Sequence, residues 1–329
     1  MQFCKPVVNI VGHGELDYDG MDAVFEQYGA EKWFVENIAD PVADEEISAE
    51  EAIVEVMARG CYKSFGVGLN PNVTKVRDGN AEYLENVIDS GHGSVLEHSM
   101  INFMFQDISR VFTHELVRHR VGVAISQESL RYVRLTELKC FDFPRLKDEL
   151  SDEEEQWFRA KVESTFEYLE AIQKEMTVKF NLNDEQSFVR KKKLTSRMRR
   201  LAPIGLLTNI GWSANFRTLR HVIPLRTSKG AEEEIRFVFA DVGRMCKDKW
   251  PNIFFDMEWH SDNDGTGLGE WKIIPKKVRE LEKFITIGEH EGLHCIFINK
   301  LPMYHSLDFD MIVKQHTLLM ETFKEYMLK

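Results

Sequence analysis

An α+β fold, with helices packed around a small, mostly antiparallel sheet and a further α+β segment behind it, is what this sequence predicts. Three observations carry the prediction. Helical spacing dominates, with apolar residues recurring about every three to four positions. The few strand-like runs do not alternate with helices as a doubly wound sheet requires. No G-x-G-x-x-G follows a strand, so a Rossmann cofactor site is not indicated.

Taken in order, the segment from Ser48, SAEEAIVEVMARGC, opens as a capping box in which Ser48 pairs with Glu51. FGVGLNPNVTKVRDGN follows as a loop, and AEYLENVIDSG as a helix stopped at Gly91. SMINFMFQD alternates, with Ile101, Phe103 and Phe105 on one face, and is a strand. ISRVFTHELVRHR returns to helical spacing and ends in a cationic cluster. Ser151 and Glu154 cap a long helix that begins SDEEEQWFRAKVE. A basic helix follows at about 184–200, broken by Pro203. IGLLTNIGWSAN reads as a buried strand, and FRTLRHVIPLR and AEEEIRFVFADVGRMCKDKW as helices. The Gly/Asp-rich HSDNDGTGLGEW marks a boundary near residue 261, which divides the chain into 1–260 and an extension over 261–329. That extension ends in the amphipathic helix DFDMIVKQHTLLMETFKEYMLK.

The 329 residues are 43% hydrophobic and 29% charged, which suits one large or two ordinary globular domains. A net charge of -12 argues against a general nucleic-acid surface, so an anion site must be local. The five cysteines are widely spaced and form no CxxC pair, which suggests neither a disulfide framework nor a Cys-rich zinc site. No apolar run reaches the length of a membrane span and the N-terminus has no signal-peptide core, so a cytoplasmic protein is expected.

The stretch RHRVGVAISQESLRY, residues 118–132, sets positive charge in apolar surroundings. Arg118 and Arg120 at a helix C-terminus could simply offset the helix dipole. The apolar run VGVAIS after them places them at a cleft wall instead, and Gln127, Ser129 and Arg131 then add an amide, a hydroxyl and a guanidinium. Guanidinium forks match phosphate oxygens, while Gln or Ser can read the polar edge of a base. Upstream, GHGSVLEHS holds Ser94, Glu97 and His98, for which a capping Ser is the bland alternative. Downstream, Arg217 and His221 are spaced to share a helix face, with Asn215 at the helix start and Arg226 just past its end. Asn215 could serve only as a cap. Arg197, Arg199 and Arg200 add charge nearby in sequence.

These motifs, in this order, resemble the flavin-dependent thymidylate synthases, whose signature is RHR, a spacer and a Ser. ARGCYKSF at 58–65 fits the same family, and the resemblance runs from about residue 50 to about 257. It implies that family's fold for the catalytic domain and, residue by residue, a shared site. Ser94, Arg118, His119, Arg120, Asn215, Arg217 and His221 would touch FAD. Glu115, Arg118, Gln127, Ser129, Arg131 and Arg199 would hold the pyrimidine nucleotide. Arg226 would be the catalytic arginine, lying against the base and favouring ionisation at N3. The implied reaction methylates dUMP to dTMP with methylenetetrahydrofolate and NADPH as co-substrates, in a homotetramer whose sites draw on several subunits. No cysteine follows a proline, so the thiol nucleophile of the other thymidylate synthase type has little support.

Two departures stand out. The eight residues between Arg120 and Ser129 exceed the family's usual spacer by one, and Gly230 stands where many relatives carry a His. They leave room for a relative that methylates or hydroxymethylates another pyrimidine nucleotide, such as dCMP. A flavin-nucleotide binding protein without turnover is a further alternative. A competing motif, His290, Glu291 and His294 in GEHEGLHC, matches the H-E-x-x-H of zinc hydrolases. That chemistry needs a helix, and Gly288 and Gly292 interrupt the segment, so no metal site is expected.

Overall fold

The computed structural model describes residues 1–328 apart from 41–46, 69–71, 73–74, 78, 133–136 and 145–148. The predicted loop over 65–80 therefore lies partly outside the described residues. Two compact units are present: Met1–Phe255 with Trp259–Trp271, and Asp256–Glu258 with Lys272–Lys329.

The strands up to the end of the first unit are β1 (Gln2–Cys4), β2 (Val7–Gly12), β3 (Met100–Ser109), β4 (Val123–Gln127), β5 (Lys139–Phe141), β6 (Leu207–Asn215), β7 (Met257–Ser261) and β8 (Gly269–Ile273). Its helices are α1 (Tyr18–Tyr28), α2 (Glu31–Phe34), α3 (Ala49–Tyr62), α4 (Asn80–Asp89), α5 (Arg110–Leu116), α6 (Asp152–Lys179), α7 (Phe188–Met198), α8 (Phe216–Thr227) and α9 (Glu233–Lys249). The main sheet has the order β2-β3-β6-β4, and every pairing in it is antiparallel. Strand alternation decides which face is buried. Ile101, Phe103 and Phe105 of β3 and Ile210, Trp212 and Ala214 of β6 are at most 1% exposed. Phe105, Phe112 of α5, Trp212 and Phe239 of α9 gather there, with ring centroids 5.5–6.4 Å apart.

Both capping boxes form as the sequence predicts. Ser48 and Glu51 bond reciprocally at the start of α3, and Ser151 and Glu154 at the start of α6. Two strands pass into helices without a loop. Ser109, the last residue of β3, caps α5 with its hydroxyl, and Asn215, the last residue of β6, caps α8. Because β4 runs antiparallel to β6, the turn before β4 lies beside the start of α8. One detail departs from the sequence reading: α8 continues through Pro224 to Thr227, so Arg226 lies in its last turn, not past its end.

The Gly/Asp-rich stretch at 262–267 is the turn between β7 and β8. Trp271 of β8 belongs to the first unit, where its Nε1 donates to the carbonyl of Ala240 at 3.0 Å and its backbone N to the hydroxyl of Thr227 at 2.9 Å. The second unit contains α10 (Lys276–Phe284), β9 (Ile285–His290), β10 (Leu293–Ile298), β11 (Leu301–Ser306) and α11 (Phe309–Leu328). Its sheet has the antiparallel order β11-β10-β9, over a core of Leu281, Ile285, Ile296, Ile312 and Met320.

Candidate active site

The RHR segment occupies the turn between α5 and β4. Val121 and Gly122 close that turn against the N-terminus of α8. The hydroxyl of Thr218 donates to the carbonyl of Val121 at 2.8 Å, and the backbone N of Asn215 to that of Gly122 at 3.1 Å. Gly122 has φ 66, and a Cβ there would lie 2.5 Å from both Asn215 Nδ2 and Thr218 Oγ1. Only glycine fits both the torsion and the space. Sequence reasoning passed over Gly122 and Thr218, although a glycine two residues after the cluster was a visible signal.

Behind this clamp lies a cavity of about 370 Å³ lined by Arg118, His119, Arg120, Asn215, Arg217 and His221, together with Glu97, Val121, Thr218 and Val222. Six of the seven residues implied for FAD thus converge on one space. Arg217 Nη1 bonds Glu97 Oε1 at 2.5 Å, so Glu97 holds that guanidinium at the cavity rim. Arg118 is 72% exposed and lies 3.8 Å from Glu115 Oε1. Asn215 does cap α8, its Oδ1 accepting from the backbone N of Thr218 at 2.9 Å, and it also lines the cavity. Ser94, in the 3-10 turn Gly93–Glu97, is exposed and is not among the lining residues.

Arg226 is anchored from three directions. Its Nη1 donates to Glu115 Oε2 at 2.6 Å, its Nη2 to the Glu115 carbonyl at 2.9 Å, and its Nε to His119 Nε2 at 2.7 Å. The last bond needs an unprotonated imidazole. Burial, then the Arg226 and His221 charges, lower the His119 pKa to about 4 against the pull of Glu115. The ring is neutral at pH 7 and accepts. Five N–H donors are available to a guanidinium, so these three bonds leave Arg226 further donors to offer a ligand.

Of the residues implied for the nucleotide, Glu115 and Arg118 lie at the cavity and the other four sit elsewhere on the chain. Gln127 ends β4, roughly 16 Å along the strand from Gly122 at about 3.3 Å per residue, and Ser129 and Arg131 follow it. The Ser129 hydroxyl accepts from the backbone N of Arg131 at 3.3 Å, and Arg131 and Arg199 are exposed. Arg110, which sequence reasoning missed, joins this group. Its Nη2 donates to the Glu128 carbonyl at 3.0 Å, and burial, opposed by Glu128 and reinforced by the nearby Arg199 charge, lowers its pKa. The buried Arg110 Nε and Gln127 Nε2 find no acceptor among the described residues. β4 pairs with β6 in unbroken register from Val123 to Gln127, so the spacer crosses the ladder without a bulge. A side chain at Gly230 would meet nothing within 4 Å.

His290 and His294 occupy two strands joined by a tight turn at Glu291 (φ 55) and Gly292 (φ 78). They do not share a helix face, so the geometry of a zinc hydrolase is not there. Among the described residues no group of three or more His, Cys, Asp or Glu could hold a metal ion. No cysteine lines the cationic cavity; Cys140, Cys246 and Cys295 are buried.

Residues 45–252 match the family described as thymidylate synthase complementing protein. The chain belongs to the flavin-dependent thymidylate synthase family. It is 36% identical over 233 residues to the flavin-dependent thymidylate synthase of Corynebacterium glutamicum, covering 69% of this chain and 89% of that protein. It is 34% identical over 222 residues to that of Mycobacterium leprae, covering 65% and 83%. Against that of Mycobacterium tuberculosis it is 34% identical over 215 residues, covering 65% and 82%. The flavin-dependent thymidylate synthase match spans α3 to α9, and so includes the cationic cavity, the Arg226 anchor and the group around Ser129. β1, β2, α1, α2 and the second unit lie outside it.

Proposed function

We propose that this protein is a thymidylate synthase that methylates dUMP to dTMP, with FAD as cofactor, methylenetetrahydrofolate as one-carbon donor and NADPH as reductant. The observation that carries the reading is the cavity where Arg118, Arg120 and Arg217 outnumber the single carboxylate of Glu97. In a chain of net charge -12, that local excess suits phosphate oxygens. The residues present therefore fit FAD: the arginines would hold its phosphates, and His119, Asn215 and His221 would offer polar contacts. The bound flavin supplies the one-carbon relay and the hydride.

The chain's own residues then have separable tasks. Glu115 and neutral His119 hold Arg226 with donors to spare, and a guanidinium beside the pyrimidine favours the N3 anion and enriches C5. Arg131 and Arg199, with Ser129 and Gln127, bind the nucleotide phosphate and sugar. On one chain these residues lie far along β4 from the flavin cavity, and a homotetramer with shared sites brings the two sets together. We take 1–260 as the catalytic portion and 261–329 as an extension of separate role. No described helix is long and apolar enough to cross a membrane, and we place the enzyme in the cytoplasm.

The deciding experiment is an absorbance spectrum of the purified protein as dUMP and then dCMP are added. Flavin bands that shift with dUMP alone support the reading. A shift with dCMP alone keeps the family and changes the substrate. A protein that takes up no FAD removes it.

A further inference from the structure

Away from the cationic cavity the first unit encloses a second one of about 330 Å³, and none of the residues assigned above to flavin or nucleotide lines it. Its walls are apolar: Phe141 of β5, Phe143 just beyond, and Phe158, Val162 and Phe166 of α6. Its polar lining includes Glu232 at the N-cap of α9, Glu233 and Glu234 in its first turn, and Glu155 of α6. Glu234 is 2% exposed and accepts from the backbone N of Ser109 at 2.6 Å and from the Ser109 hydroxyl. Glu155 accepts from Arg159 Nε at 3.1 Å. Glu233 differs: its Oε1 is buried and meets no donor among the described residues.

A carboxylate facing an apolar space is costly unless a cation reaches it or it takes up a proton. Among the described residues the neighbouring cations are already engaged, Arg159 with Glu155 and Asp142, and Arg236 with Asp262 at 2.6 Å. Aromatic walls also attract cations, and a mostly apolar cavity of this size with a few convergent polar groups is the usual form of a small-molecule site. We propose that this cavity binds an organic amine, its apolar body among the phenylalanine rings and its ammonium on Glu233.

Proton linkage gives the site a signature. Glu233 is pushed up to about 7, first by burial, then by Glu232 and Glu155, against Arg236 and Arg159. Glu234 is also pushed up to about 7 by burial, against its Ser109 hydrogen bonds and with Glu232 and Glu233 reinforcing. The ammonium binds the ionised form, so affinity rises about tenfold between about pH 6 and about pH 8 for one coupled proton.

The test is calorimetric titration of the full-length protein with tryptamine, its neutral analogue tryptophol and its anionic analogue indole-3-acetate. Tryptamine should bind about tenfold tighter than tryptophol, as a charge-assisted contact is worth, and indole-3-acetate should give no heat. Glu233→Gln should erase the preference for the amine. Phe158, whose ring is 45% exposed, can be cut to Ala without threatening the fold, and Phe158→Ala should weaken tryptamine several-fold. Equal binding of all three probes, no heat with tryptamine, or unchanged tryptamine affinity in both variants would overturn the proposal. If Glu233→Gln fails to fold, the three-probe comparison and Phe158→Ala decide alone.

Discussion

Two cavities of the first unit solve opposite problems with opposite charges. The RHR cavity keeps its guanidinia partly exposed and under-paired, with Arg118 72% exposed and Glu97 the one carboxylate in its lining. The phenylalanine-lined cavity buries carboxyls where burial pushes them toward neutrality. An exposed arginine stays charged whatever its surroundings, whereas a buried carboxyl can escape its desolvation cost by taking up a proton. The first cavity is thus a fixed attractor for anions at any physiological pH. The second changes its charge within the physiological range. Arg59 shows what a purely structural arginine looks like: fully buried, bonded to Glu55, to the Ser64 and Arg77 carbonyls, and stacked on Trp33 and Tyr83. What separates it from Arg226, which makes the same number of such bonds, is burial: the Arg59 side chain is 0% exposed and that of Arg226 12%.

The largest effect is expected at Arg226. Arg226→Ala removes a cation that is held in place and still has N–H groups to offer, so turnover should fall at least about a thousandfold, as for a lost transition-state donor. FAD absorbance and the thermal midpoint should barely change, because the cavity arginines are untouched. Single-turnover dTMP formation measures this, and near-normal turnover would remove Arg226 from the chemistry.

Gly122→Ala comes next. The added methyl would meet Asn215 and Thr218 in a backbone conformation that alanine resists, at a cost of about 1–3 kcal/mol. Because the same atoms clamp the RHR turn to α8, FAD affinity should drop together with the urea midpoint. A stable variant with normal FAD binding would show that the clamp does not shape the cavity. A smaller effect is expected at Ser129, at the other end of β4. Ser129→Ala should raise the nucleotide KM about five- to tenfold through one lost hydrogen bond and leave FAD binding alone. Loss of FAD instead would mean that the two residue sets are divided wrongly.

How legible all this was from sequence differs between the regions. The strands β3 and β6 could be read because their apolar alternation has one buried face, and both capping boxes because their spacing is local. The RHR cavity was legible because the charges of Arg118, Arg120 and Arg217 stand out in an acidic chain. Its clamp was not, since the need for glycine at position 122 arises from side chains more than ninety residues away. Local spacing also sets Arg226 just past the end of α8, whereas the helix runs through Pro224 to Thr227. The phenylalanine-lined cavity left no trace in sequence: AEEEIR reads as an ordinary acidic first turn until α6 and β5 are laid over it.

The subtlest prediction concerns pH, where the cavities should pull stability in opposite directions. Glu234 titrates near 7 folded against 4.5 as the unperturbed value, so its contribution is complete below about pH 4.5 and is lost as pH rises through 7. For a group this buried the loss is on the order of 3 kcal/mol. His119 runs the other way: its pKa of about 4 lies below the ordinary 6.5, so its contribution holds above pH 6.5 and is lost as pH falls through 4. Glu233 is shifted the same way as Glu234, so urea unfolding across pH 4–8 should peak near pH 4.5 and fall toward pH 7. Glu234→Gln should roughly halve the alkaline fall, Glu233 supplying the rest, and His119→Gln should flatten the acid side. If both slopes survive in both variants, the titrations that set this stability belong to other groups.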